Sequence, residues 1–146
     1  MENGLIAKDI YNAHHSRPNM SIKYTDNTGK VRGYLLAYEG NKDEAFPEFE
    51  DFLYISDLAT DKTAKLPGGR LMQGFVELYE KNYLANGSMM PIKSQSRESS
   101  SYMIIQTQLS EIGKKLGVKF EVLENGFVER NGEKYFETMI VPVKIR

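Results

Sequence analysis

Apolar residues recur along this chain at steps of two in some stretches and of three to four in others, and the switches between the two periods mark out its elements. In residues 4 to 16, Leu5, Ile6, Ile10 and Tyr11 fall at helical spacing, and Arg17-Pro18 ends the run. Residues 20 to 24 and 31 to 38 have strand character, joined by TDNTGK, whose Asp, Asn and Gly favour a turn, so a hairpin is predicted. DFLYISDLA is a third strand, apolar at nearly every central position, which predicts burial on both faces. Leu71, Met72, Phe75, Leu78 and Tyr79 then predict an amphipathic helix over residues 69 to 84, closed by ANGS with Gly87 as its C-cap. MMPIKSQ is a short fourth strand with Pro91 near its start. Ser99, Ser100 and Ser101 are N-cap candidates for a second long helix, with Tyr102, Ile105, Leu109, Ile112 and Leu116 on one face and Gly117 as its stop. VKFEVLE and EKYFETMIVPVKI complete the pattern as two strands, with Gly126 and RNG supplying the connection of a hairpin.

The order is α-β-β-β-α-β-α-β-β. Strands alternate with helices only in the middle, so the expected class is α+β. A mixed, mainly antiparallel central sheet is flanked by helices, with hairpins at both ends and a crossover helix at the centre. At 146 residues the chain is long enough for one domain with a real core, taken as residues 1 to 146. With 40% hydrophobic and 27% charged residues it reads as a globular protein of the soluble class. The net charge of −1 argues against a dedicated nucleic-acid binder, which carries a basic excess. The lack of cysteine excludes disulfides, thiolate metal sites and cysteine nucleophiles, and fits a cytoplasmic location. The first residues contain no continuous apolar region, so no signal peptide is expected, and no run approaches the ~18 apolar residues of a membrane span. The acidic segment over residues 39 to 51 reads as a solvated loop; its carboxylates lack the spacing of a calcium loop. His14 and His15 are adjacent, about 100° apart on a helix, and make a poor metal pair, so no metal is expected.

The connection DLATDKTAKLPGGR carries the most chemistry. A helix N-terminus presents backbone N–H groups without internal partners, and the helix dipole adds partial positive charge there. After a buried strand, such a turn can cradle a phosphate, and Gly68 and Gly69 let a ligand approach the backbone. Lys62, Lys65 and Arg70 add cations, which suits a pyrophosphate. The turn has no Gly-Lys-Ser/Thr ending, so it is not a nucleotide P-loop. The plain alternative is a glycine-softened loop with solubilising lysines.

This stretch resembles the GCN5-related N-acetyltransferase superfamily. In that family a central strand ends in an aliphatic residue, followed at fixed steps by Arg or Gln, Gly, and Gly or Ala at a helix start. Thr60, Lys65, Gly68 and Arg70 stand at those spacings, and DLAT looks like the family's strand end. Element order is similar over about residues 20 to 144. Lys65 replaces the usual Arg or Gln, Arg70 fills a Gly/Ala position, and residues 1 to 4 offer no candidate for the family's first strand, as in a divergent or shortened member.

The resemblance implies that acetyl-coenzyme A is held by Leu58, Ala59 and Thr60 through backbone groups, and at its pyrophosphate by Lys65, Leu66, Gly68, Gly69 and Arg70. The strands at residues 51 to 60 and 89 to 95 would diverge around the pantetheine arm. Ser96 stands where the family often has Asn, and Arg97 would meet an anionic part of cofactor or substrate. Asp57 is the candidate general base, directly or through water, with Glu98 as second candidate; Tyr102 is the candidate acid for the departing thiolate. Each has a plainer role: Asp57 bonding backbone, Glu98 favouring a helix dipole, Tyr102 packing in the core. The function implied is acetyl-coenzyme A-dependent N-acyl transfer to an amine, either a small molecule or a protein. The alternatives are a non-catalytic binding or regulatory module of the same fold, and a small interaction domain of another family. A homodimer is left open.

Overall fold

A computed structural model describes residues 7–60, 67–96, 100–130 and 132–145. The elements follow in the order α1 (Ala7–His15), β1 (Ile22–Thr25), β2 (Val31–Asn41), β3 (Asp51–Thr60), α2 (Pro67–Asn82), a single 3-10 turn (Leu84–Asn86), β4 (Ile92–Ser96), α3 (Ser100–Leu116), β5 (Val118–Arg130) and β6 (Glu133–Lys144). This is the α+β order expected from the periodicity. The strands form one sheet ordered β1-β2-β3-β4-β6-β5, in which β3 and β4 are parallel and every other pair is antiparallel.

The β1–β2 hairpin is fixed by its turn. The Asp26 carboxylate accepts hydrogen bonds from the Thr28 amide at 2.8 Å, the Thr28 hydroxyl at 2.6 Å, the Lys30 amide at 3.1 Å and Arg32 Nε at 2.7 Å. An Asp that bonds the backbone two residues on imitates a turn by itself.

The main core lies between one face of the sheet and helices α2 and α3. Leu35, Ala37, Leu53, Ile55, Ile92 and Ile140 point from the strands onto Leu71, Phe75, Tyr79 and Leu109. Each fully buried Leu, Ile or Phe among them contributes ~1.5–3 kcal/mol. The Tyr79 hydroxyl donates to the Met90 carbonyl at 2.7 Å, tying α2 to the entry of β4. The opposite face carries a smaller cluster, Phe46, Phe52 and Met139, beneath the 42–50 segment. Gly40 is required there: a Cβ on it would stand 2.9 Å from the Phe52 ring.

Three details differ from the sequence expectations. In α1, Ile10 and Tyr11 are exposed; Asp9 and Ala13, four apart, face inward, because the Asp9 carboxylate accepts from the Tyr38 hydroxyl at 2.9 Å. Gly126 is no hairpin turn. It lies inside β5 with φ +83°, where the pairing to β6 shifts between Glu124 and Phe127, so it serves a bulge; the reversal comes near Gly132. The 39–51 segment is not simply solvated. Asp43 is buried, accepts from the amides of Ala45 at 2.8 Å and Phe46 at 3.3 Å, and pairs with Lys93 of β4.

Candidate active site

The central strands separate. β3 and β4 align only over Leu53–Ile92, Tyr54–Lys93 and Ile55–Ser94. β3 then runs on to Thr60, while β4 stays paired with β6 as far as Ser96 opposite Phe136. The cause lies in the register with β2. Leu36 faces Asp57 but Ala37 faces Ile55, so Ser56 is an extra, bulged residue whose hydroxyl reaches the Leu36 carbonyl at 3.4 Å. A bulge bends its strand and increases its twist. Among the described residues, Leu58, Ala59 and Thr60 pair with β2 on one side and with no strand on the other.

Helix α2 begins beyond that strand end. Pro67 suits a first helical position, where no amide donor is required and φ is preset. Gly68, Gly69 and Arg70 complete the first turn, which holds no acidic side chain, so the positive end of the dipole is not neutralised locally. A Cβ on Gly69 would meet nothing within 4 Å: packing does not demand this glycine, and the space outside it is open. Arg70 is exposed, its guanidinium carbon 6.0 Å from the Tyr24 ring centroid. Backbone donors, an open glycine and one cation form a donor set that fits a pyrophosphate.

The face of the sheet opposite α2 and α3 is polar and aromatic at its centre. Cross-strand pairing places Tyr34, Leu36 and Tyr38 of β2, Phe52, Tyr54 and Asp57 of β3, Lys93 and Gln95 of β4, and Glu137 of β6 on this face. The Tyr54 hydroxyl donates to Gln95 Oε1 at 3.2 Å, and Gln95 Nε2 donates to Glu137 Oε2 at 3.0 Å. Lys93 Nζ pairs with Asp43 and lies 3.9 Å from Glu137 Oε2. Tyr38 and Tyr54 meet edge to face with centroids 5.5 Å apart. Burial, then the Asp9 carboxylate that takes its hydrogen bond, pushes the Tyr38 hydroxyl above the usual phenol range, so it stays a donor at neutral pH. A cavity of about 360 Å³ opens here, between α1, the end of β2 and the starts of β3 and β4.

The candidate residues distribute as follows. Asp57 lies just past the bulge, half-buried, with the Tyr34 hydroxyl 3.5 Å from its carboxylate. Leu58, Ala59 and Thr60 line the outer edge of β3, and Ser96 ends β4 on the far side of the opening. Gly68, Gly69 and Arg70 open α2. Tyr102 is in the first turn of α3, with only three residues between the end of β4 and the start of that helix; its side chain lies outside the described part, as does that of Ser96. Lys65, Leu66, Arg97 and Glu98 lie outside the described residues. Sequence reasoning passed over Tyr54, Lys93, Gln95 and Glu137. Their signal was strand alternation: Lys93 and Gln95 in IKSQ, and Glu137 between Tyr135 and Met139, place polar groups on one inward face.

No protein-family model matches the chain, and no curated protein matches it. Solved structures do. Naa20 of Chaetomium thermophilum, in complex with a bisubstrate analogue, superposes with a TM-score of 0.57 at 15% identity, over 99% of this chain and 80% of that one. Arylalkylamine N-acetyltransferase 2 of Aedes aegypti superposes with a TM-score of 0.50 at 16% identity, over 89% of this chain and 75% of that one. The chain has the fold of the GCN5-related N-acetyltransferases.

Proposed function

We propose that this protein is an acetyl-coenzyme A-dependent N-acyltransferase that acts on an amine, either a small molecule or a protein. One observation carries the reading: the β3–β4 pairing ends at Ile55, just before the bulge at Ser56, and among the described residues Leu58 to Thr60 have no strand on the β4 side, with the first turn of α2 the next described element of the chain. An extended amide-bearing arm needs such an unpaired strand edge, and a pyrophosphate needs such a helix start. That the structural neighbours are N-acetyltransferases, one holding a bisubstrate analogue, supports the assignment.

The residues divide the work. Backbone groups of Leu58, Ala59 and Thr60 would hold the pantetheine amides; the first turn at Gly68, Gly69 and Arg70, with Lys65 and Leu66 before it, would hold the pyrophosphate. Ser96 and Arg97 would flank the arm from the β4 side. When bound, acetyl-coenzyme A supplies the acyl group as a thioester, an activated carbonyl with a thiolate leaving group. Fixed placement of the amine beside it supplies much of the rate. Asp57 is assigned to remove a proton from the acceptor ammonium, through water, with Glu98 as the second candidate. Tyr102 is assigned to return a proton to the departing sulfur. The new carbon–nitrogen bond replaces the carbon–sulfur bond, and coenzyme A leaves as the thiol.

The test is calorimetric titration with acetyl-coenzyme A and coenzyme A, followed by thiol release across an amine panel. Saturable binding with turnover is expected. Binding without turnover on any amine would favour a non-catalytic module of this fold, and absence of binding would overturn the reading.

A further inference from the structure

The β3–β4 ladder ends at Ile55 and Ser94, and side chains take over where it stops. Tyr54 of β3 and Gln95 of β4 are diagonal neighbours at this last pair, on the polar face. The Tyr54 hydroxyl donates to Gln95 Oε1 at 3.2 Å, and Gln95 Nε2 donates to Glu137 Oε2 at 3.0 Å. A chain of hydrogen bonds thus crosses β3, β4 and β6 at the closed end of the strand separation. We propose that the Tyr54–Gln95 bridge, oriented by Glu137, is the end wall of the acyl site and excludes acyl groups longer than acetyl. This inference rests on the acyl-transfer reading, because it names what selects the donor.

Direction comes first. β3 runs from Ile55 through Leu58 to Thr60, and α2 is the next described element of the chain. A ligand with its pyrophosphate at the first turn of α2 and its amides along Leu58 to Thr60 therefore turns its acyl end back toward Ile55. There the strands close, because Ile55 still faces Ser94.

Polarity comes second. Toward the start of β3 the same face carries Phe52, in one apolar cluster with Phe46 and Met139. Space-filling alone would continue in that manner. At the closure stand Tyr54, Gln95 and Glu137 instead, and polar side chains out of water are held only by bonding to one another. The Gln95 amide is oriented from both ends: its oxygen takes the phenol proton and its nitrogen serves the carboxylate. Reversed, its oxygen would face the carboxylate of Glu137. Glu137 is itself buried, 3.9 Å from Lys93 Nζ. The Tyr54 ring is fixed by edge-to-face contact with Tyr38 and by Lys93 Nζ, 5.5 Å from its centroid.

The consequence is selection by length. An acyl chain carried past the closure has to part Tyr54 from Gln95, leaving a half-buried hydroxyl and amide without each other. Added methylenes gain little from such polar neighbours, so the wall penalises length and leaves acyl transfer as such untouched.

The experiment measures dissociation constants of acetyl-, butyryl- and hexanoyl-coenzyme A by calorimetry on the full chain. The ratio between donors is the readout, so effects on the shared coenzyme cancel. Wild type should bind acetyl-coenzyme A ~tenfold or more tighter than butyryl-coenzyme A. Gln95→Ala removes the bridge and opens space, and butyryl should then bind as tightly as acetyl or tighter, since burying two methylenes is worth roughly tenfold. Tyr54→Phe keeps the ring, should move the ratio the same way, and serves if Gln95→Ala fails to fold. Glu137 is a positioning residue, acting through Gln95. Glu137→Leu should relax the selection, whereas Glu137→Gln still offers an oxygen to Gln95 Nε2 and should retain it, a split that a merely structural glutamate would not give. A wild type that binds butyryl as well as acetyl, or an unchanged ratio in folded Gln95→Ala and Tyr54→Phe, overturns the end wall and leaves the acyl-transfer reading standing. No binding of any acyl-coenzyme A by wild type overturns both.

Discussion

Ile55 faces Ser94 across the β3–β4 pair, whereas Asp57, two positions on, faces Leu36 of β2 after the bulge at Ser56. One extra residue thus changes which neighbour β3 keeps. Up to Ile55 the strand is held on both sides; beyond it the strand is held by β2 alone. Ile55 turns into the α2–α3 core, while Asp57 turns to the polar face with Tyr54 and Gln95. The same bulge therefore opens an edge and aims a carboxylate beside it.

The first prediction concerns the turn that follows. Gly69→Asp places a carboxylate in the first turn of α2, where the open space admits the side chain without a clash. An acidic residue at a helix start interacts favourably with the dipole, and replacing glycine raises helix propensity. Folding stability should therefore be unchanged or slightly higher. A negative charge at a pyrophosphate site should weaken acetyl-coenzyme A binding by more than tenfold, a loss of ~1.4 kcal/mol or more. Calorimetry on the folded variant with wild-type affinity would remove this turn from the site.

The strand–turn–helix was legible because its signal is local. An apolar run followed by Pro-Gly-Gly and a 3.6-residue period can be read without knowing what else packs nearby. The α1 face was not. Asp43 and Lys93 are fifty residues apart, and each looks like an ordinary surface charge until β4 is placed beside β3 under the 42–50 segment. Gln95 and Glu137 become partners only when β6 inserts next to β4, a pairing set by tertiary topology. Gly126 was misread for a related reason: a glycine between two strand patterns signals a turn or a bulge equally, and only the register with β6 decides.

The Lys93–Asp43 pair makes a stability prediction. Both side chains are nearly buried, at 11% and 6% exposure, with Glu137 close by. Lys93→Met leaves the Asp43 and Glu137 carboxylates without their cation, and breaking a buried pair in this way costs roughly 3–5 kcal/mol. Adding Asp43→Asn should recover part of that loss, since the uncompensated charge is reduced. Urea denaturation of the single and double variants measures this directly. A double variant less stable than Lys93→Met alone would show that the pair's electrostatics are not what holds the 42–50 segment.

Asp26 sets a pH dependence at the β1–β2 turn. The Thr28 hydroxyl, then Arg32, then the amides of Thr28 and Lys30, hold its carboxyl well below the usual carboxylate range. A depressed folded-state pKa stabilises the fold fully above the unfolded value, ~3.9, and the contribution is lost as pH falls below that toward the folded value. Asp26→Asn should lower Tm at pH 7 and flatten the acid side of the Tm–pH curve below about pH 4. Parallel curves for the two proteins would show that the hairpin turn does not couple to protonation.

The last prediction decides between an enzyme and a binding module. Tyr102 enters α3 in its first turn, and only residues 97 to 99 separate that helix from the end of β4, so the backbone brings this tyrosine to the end of the separated strands. A phenol can protonate a departing thiolate only within hydrogen-bond reach of the sulfur, and general acid catalysis typically contributes 10²–10⁴-fold. Tyr102→Phe keeps the ring and deletes the acid. On the proposed role, kcat should fall about a hundredfold or more, while acetyl-coenzyme A affinity and Tm stay near wild type. The loss should be smaller for acyl donors whose thiol leaving group has a lower pKa, because a better leaving group depends less on the acid. A tyrosine that merely packs would give the opposite pattern, a lower Tm with near-normal turnover and no dependence on the leaving group. Full kcat in a folded Tyr102→Phe protein would therefore end the assignment of this residue, and the acid would have to come from water or from the acceptor side of the sheet.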